Sequence, residues 1–135
     1  MTDLTYLVYS AVLTWFMLVT ASILRSRGWT PPGLVVAFGN RDNVPEPSPL
    51  AARADRAAKN MLENLVLLAA LIAAARFSGA STERVTQGAA LFFWARVAYF
   101  GVYVAGLAYV RTAIWGVSVA GLVLIAAATL ATSAA

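Results

Sequence analysis

The chain has 135 residues, of which 61% are hydrophobic and only 12% charged, and its net charge is +4. A soluble domain averages about 25% charged residues and is less than half apolar, so this composition indicates a membrane protein of a single domain. The chain lacks cysteine and histidine, which excludes a disulfide framework and a thiol nucleophile and removes the commonest metal ligand. We predict no metal site and no nucleic-acid partner, because the basic residues cluster in a way that suits membrane topology.

Four apolar stretches are long enough to cross a bilayer, which takes about 20 residues. They comprise residues 4–24, 50–77, 85–110 and 113–131. A cleaved signal peptide is the alternative for the first stretch, but no basic region precedes it and no cleavage site precedes Arg25. In the fourth stretch, Gly116 and Gly121 are small residues of the kind that let helices approach closely in lipid. We predict an all-α membrane protein, a four-transmembrane-helix bundle that forms one domain over residues 1–135.

The connection between the first two spans, residues 28–49, holds all five prolines. Because Pro31–Pro32 and the prolines near its end interrupt helices, we predict an irregular loop there. A loop of this length in so compact a protein is more often functional than idle.

The basic residues are distributed unequally between the two sides of the predicted bundle. Seven flank the first and third connections and two flank the second: Arg25, Arg27, Arg41, Arg53, Arg56, Lys59 and Arg111 against Arg76 and Arg84. The positive-inside rule therefore places the first and third connections in the cytoplasm and both termini outside.

A polar face opens the second span. Arg53, Arg56, Asn60 and Glu63 follow one another at steps of three, four and three, so they share one face of a helix, with Lys59 at its edge. Ionisable groups in a membrane span are costly unless they pair or line a cavity, so they indicate a functional site. Arg53, Arg56, Lys59 and Arg111 outnumber the carboxylates available at the cytoplasmic mouth of the bundle, which suggests an anionic ligand. The alternative is that these residues only stabilise the fold through contacts between helices.

The third span carries a matching polar face of Arg96, Tyr99 and Tyr103, spaced three and four residues apart. Counted from the short turn between the spans, Glu63 lies roughly 21 Å deep and Arg96 roughly 18 Å deep. We therefore predict a buried Glu63–Arg96 pair. The same count brings Tyr99 near Asn60 and Tyr103 near Arg56 and Lys59.

Four segments of the chain resemble the MAPEG family, the membrane-associated proteins in eicosanoid and glutathione metabolism. They are GNRDN, RADRAAKNMLEN, ARVAYFGVY and YVRT. The resemblance, to a bacterial-type member, implies a homotrimer of four-helix subunits in the inner membrane. It also implies that glutathione binds between neighbouring subunits, on the cytoplasmic side. Enzymatic members activate the glutathione thiol for conjugation, peroxide reduction or isomerisation.

The resemblance and the chemistry of glutathione together assign the site residues. The glutathione-binding set is Arg53, Arg56, Lys59, Asn60, Glu63, Arg96, Tyr99 and Asp42, with Asn43 as the alternative to Asp42. Arg111 matches the arginine that stabilises the thiolate, and Tyr103 is the alternative donor. Ala58 and the plain aliphatic residues after Glu63 depart from the pattern of the eicosanoid enzymes, which argues against an eicosanoid substrate.

These observations predict a glutathione-dependent transferase or peroxidase whose second substrate is a lipophilic electrophile or hydroperoxide that enters from the lipid. A non-catalytic membrane scaffold or binding protein of the same fold is the alternative. A small multidrug transporter is disfavoured because the first span has no carboxylate beyond Asp3 at its start.

Overall fold

The computed structural model describes residues 1–133, which form five helices and no strand. The helices are α1 (Asp3–Ser26), α2 (Pro31–Phe38), α3 (Pro49–Ser78), α4 (Thr82–Ala105) and α5 (Ala108–Ser133). All but α2 are long and apolar enough to cross a membrane. The predicted all-α bundle of four membrane-spanning helices is therefore confirmed.

The short helix α2 corrects the prediction of an irregular first connection. Thr30 caps α2 by accepting a hydrogen bond from the Gly33 N–H, and the two prolines occupy the first helical positions. A proline there loses only an N–H that has no acceptor within the helix, so it starts a helix as readily as it interrupts one. Ser48 and Pro49 begin α3 in the same way.

The turn between α4 and α5 lies earlier than predicted. The chain reverses at Gly106, whose φ of +81° is in the left-handed region that glycine tolerates and whose N–H bonds the carbonyl oxygens of Val102 and Tyr103. The predicted third stretch, residues 85–110, therefore ends too late, and the fourth begins before residue 113. Arg111 lies in the first turn of α5, where its backbone N–H bonds the Leu107 carbonyl oxygen.

Helices α4 and α5 approach each other closely at two facing glycines. A Cβ added at Gly88 would lie 2.7 Å from the carbonyl oxygen of Gly121, and one added at Gly121 would lie 2.6 Å from that of Gly88. A Cβ at Gly116 would have nothing within 4 Å. The close-packing role predicted for both glycines of the fourth span thus belongs to Gly121 and not to Gly116.

An ion pair joins α1 and α3 at the end of the bundle where α1 begins and α3 ends. Asp3 is fully buried at the start of α1, and its carboxylate accepts a hydrogen bond of 2.9 Å from the Nε of Arg76 near the end of α3. This bond holds the two antiparallel helices together at the end away from the predicted site. Arg76 is therefore a structural partner of Asp3 and not simply a solvated surface residue.

Candidate functional site

A cavity of about 300 Å³ opens where α3, α4 and α5 converge. Its walls are formed by Arg56 and Asn60 of α3, Tyr99 and Tyr103 of α4, and Arg111, Thr112 and Trp115 of α5. The register of these helices explains the convergence, since α4 ends and α5 begins at the level of the first turns of α3. Five of the residues predicted for the site therefore share one cavity.

Tyr103 organises the two cations of this cavity. Its hydroxyl oxygen accepts a hydrogen bond of 3.3 Å from the Nε of Arg56, which confirms the predicted proximity of these residues. Its ring lies beneath the guanidinium of Arg111, with 4.8 Å between Cζ and the ring centroid. A cation over an aromatic face is attracted by the ring quadrupole. One side chain of α4 thus positions an arginine from each of two other helices.

Arg96 lies behind the cavity wall and is completely buried. Its Nη1 donates a hydrogen bond of 2.7 Å to the Oδ1 of Asn60. Its Cζ lies 5.3 Å from the ring centroid of Phe92 and 5.1 Å from that of Tyr99, within the range of a cation–π contact. Its Nε and Nη2 have no partner among the described residues. A buried cation with unused donors favours a nearby anion, because unpaired buried charge is costly.

A comparison with models of known protein families identifies the family of this chain. The MAPEG family model matches residues 4–131, which is nearly the whole chain. The chain belongs to the MAPEG family. Neither a curated protein nor a solved structure matches it. Together with its four apolar helices, this membership makes the chain an integral, multi-pass membrane protein of a glutathione-associated family.

In this MAPEG chain the predicted Glu63–Arg96 pair does not form. Glu63 is exposed and makes no ion pair within residues 1–133. Counting residues predicted the depth of Glu63 but not the direction in which its side chain points. Asn60 borders the buried stripe of α3 that runs through Met61 and Leu68, whereas Glu63 lies about 60° further around the helix. Asn60 is therefore the partner of Arg96.

Three other predicted residues do not line the MAPEG cavity. The Nε of Arg53 donates a hydrogen bond of 3.1 Å to the Val104 carbonyl oxygen at the end of α4. Lys59 pairs with Asp55 at 2.8 Å, so its charge is balanced within α3. Asp42 is exposed in the connection between α2 and α3. Arg56, Arg96 and Arg111 still form no ion pair with any described residue, so the excess of cations persists.

Thr112 and Trp115 were not predicted for the cavity. Trp115 looks like an aromatic residue of the membrane interface when the sequence is considered alone. The signal that could have placed it is its spacing, since a residue four positions after Arg111 lies on the same helix face. The indole gives the otherwise polar cavity one apolar wall.

Proposed function

We propose that this MAPEG protein is a membrane glutathione-dependent transferase or peroxidase that binds glutathione in the cavity between α3, α4 and α5. The observation that carries the proposal is the cavity itself, whose walls present two arginines and two tyrosines but no carboxylate. Such a lining suits an anionic ligand. Glutathione is the natural candidate because the family is glutathione-associated.

The charged groups of glutathione match the hydrogen-bond donors in the cavity wall. One of its carboxylates would bind Arg56, since guanidinium groups bind carboxylates through parallel hydrogen bonds. The other would bind the side-chain amide of Asn60, which Arg96 holds from behind the cavity wall. Arg111 would stabilise the deprotonated sulfur, because a fixed cation beside a thiol favours the thiolate. Trp115 and the lipid-facing surface would receive an apolar second substrate.

Thiolate attack accounts for both reactions. With an electrophile, sulfur forms a bond to carbon while the leaving group departs with the bonding electron pair. With a hydroperoxide, sulfur attacks the terminal oxygen, the O–O bond breaks and the alkoxide takes a proton to leave as an alcohol. A second glutathione then reduces the resulting sulfenic acid, which yields glutathione disulfide and water.

The position of Glu63 supports an oligomer, for which the family resemblance implies a homotrimer. Glu63 is at the middle of α3, and its neighbours Leu62, Val66 and Leu67 are 44%, 63% and 53% exposed. A carboxylate left facing lipid at the bilayer centre costs about 2.5–3.5 kcal/mol or more. Coverage by a neighbouring subunit would remove this cost. It would also place Glu63 at a subunit boundary, where it could bind the ammonium group of glutathione.

The proposal is tested by glutathione binding to the purified protein, measured by calorimetry, and by conjugation of an aryl halide and reduction of a lipid hydroperoxide. We expect saturable binding and activity in at least one assay, and binding alone for a glutathione analogue with a methyl group in place of the thiol. An Arg56→Ala variant should bind more weakly, whereas Arg84→Ala, at the other end of the bundle, should match the wild type. Absence of glutathione binding would favour the scaffold function.

We further propose that the cavity faces the cytoplasm and that both termini lie outside, because seven basic residues flank this side and two the other. Reporter fusions placed after Pro45 and after Gly79 test this topology. We expect cytoplasmic reporter activity from Pro45 and external activity from Gly79. A cytoplasmic signal from Gly79 would contradict it.

A further inference from the structure

Helix α2 exposes an apolar face although it is not one of the spanning helices. Leu34, Val35 and Phe38 are 46%, 74% and 88% exposed, and Trp29 just before the helix is 64% exposed. The three helical positions lie on one side of α2, as their spacing requires. Among the described helices α2 packs only against α1, so none of the other helices within residues 1–133 covers this face.

Contacts with α1 hold α2 at the level where the first span ends. A Cβ at Gly33 would overlap the carbonyl oxygen of Arg27, the residue that caps α1 with a φ of +55°. Gly33 lies roughly opposite the exposed apolar face. The connection also returns to α1 after α2, because the Nη2 of Arg41 donates a hydrogen bond of 3.1 Å to the Ser22 Oγ. Both ends of α2 are thus tied to the last two turns of α1.

Basic side chains flank the apolar face. Arg27 is exposed and its side chain has no hydrogen-bond or ion-pair partner within residues 1–133. Arg41 is exposed beyond the other end of α2. Apolar side chains with arginines at their border match the lipid–water interface, where acyl chains meet anionic headgroups. The last turns of α1 also expose an apolar side chain, since Ile23 is 47% exposed.

We propose that α2 is an interfacial helix that docks on the membrane its own chain spans. Its apolar face enters the boundary between headgroups and acyl chains, and Arg27 and Arg41 bind the headgroups of anionic phospholipids. This surface is separate from the cavity, and the proposal does not depend on glutathione chemistry.

The absence of cysteine allows a direct test of depth. Val35→Cys, Phe38→Cys and the loop control Asn43→Cys would each carry a spin label, in nanodiscs of equal parts phosphatidylcholine and phosphatidylglycerol. Collision rates would be measured with oxygen, which partitions into lipid, and with a water-soluble nickel chelate. We expect the oxygen-to-nickel ratio at positions 35 and 38 to exceed that at position 43 several-fold.

Two outcomes would overturn the proposal. Nickel access at positions 35 and 38 equal to that at 43 would show that α2 is in water. Shielding from both reagents would show that protein, such as a second copy of the chain, covers the face.

Headgroup binding is tested by repeating the measurement in nanodiscs of phosphatidylcholine alone. We expect Phe38→Cys to be less shielded from nickel in the neutral discs, and Arg27→Gln to reduce the difference between the two compositions, with Arg41 accounting for what is left. Arg84→Gln, on the opposite side of the membrane, should preserve the difference. If the label of Phe38→Cys, with Arg27 unchanged, is equally shielded from nickel in both compositions, then α2 does not bind anionic headgroups.

Discussion

Replacement of Arg111 by glutamine is expected to lower the turnover of glutathione conjugation by about 10²- to 10³-fold, the usual cost of losing one preorganised charge-stabilising donor. Glutathione affinity should change only a few-fold, because Arg56 and Asn60 remain in the cavity wall to bind the carboxylates. The guanidinium of Arg111 is fixed over the Tyr103 ring at 4.8 Å, so its charge needs no rearrangement before it meets the sulfur. Ultraviolet absorbance of the bound thiolate, followed against pH, reports the effect.

The sign of the pH effect follows from the charge that is removed. A nearby cation stabilises the thiolate, so its loss should raise the pKa of the bound glutathione thiol and move the appearance of thiolate absorbance to higher pH. Tyr103→Phe keeps the ring beneath Arg111 and removes only the hydroxyl group, so its effect should be much smaller. If Arg111→Gln retains the thiolate near neutral pH and Tyr103→Phe loses it, the stabilising donor is Tyr103.

Replacement of Gly121 by alanine is expected to destabilise the bundle by about 3 kcal/mol, the upper end of the usual cost of overpacking. The added Cβ would lie 2.6 Å from the Gly88 carbonyl oxygen and 2.9 Å from the Phe92 nitrogen. Both are backbone atoms of α4, so no side chain can move aside and the two helices must separate. Thermal unfolding in detergent, followed by circular dichroism, measures the loss.

Gly116→Ala is the matched control within the same helix. A Cβ there has nothing within 4 Å, and alanine is a better helix former than glycine by roughly 1 kcal/mol, so the melting temperature should be unchanged or slightly higher. Equal melting temperatures for Gly121→Ala and Gly116→Ala would contradict the close approach of α4 and α5. The pair of variants separates packing from helix propensity, because both make the same chemical change.

Properties that depend on local sequence were predictable. A run of apolar residues spans a bilayer whatever its neighbours are, so the four spanning helices followed from length and composition. Helical spacing also placed Arg96, Tyr99 and Tyr103 on one face, and all three lie on the buried stripe of α4. The helix α2 was missed although its signal, Thr30 followed by two prolines, was present in the sequence.

The sequence by itself determined which helices cross the membrane and how deep each polar residue lies along them, because rise per residue is a property of the helix alone. Only the tertiary structure decided which polar groups meet, because that depends on the rotation of each helix against its neighbours. Packing turned Asn60 and not Glu63 toward Arg96, and brought Trp115 into the cavity wall. It also selected Gly121 over Gly116 as the contact, since only one side of α5 faces α4.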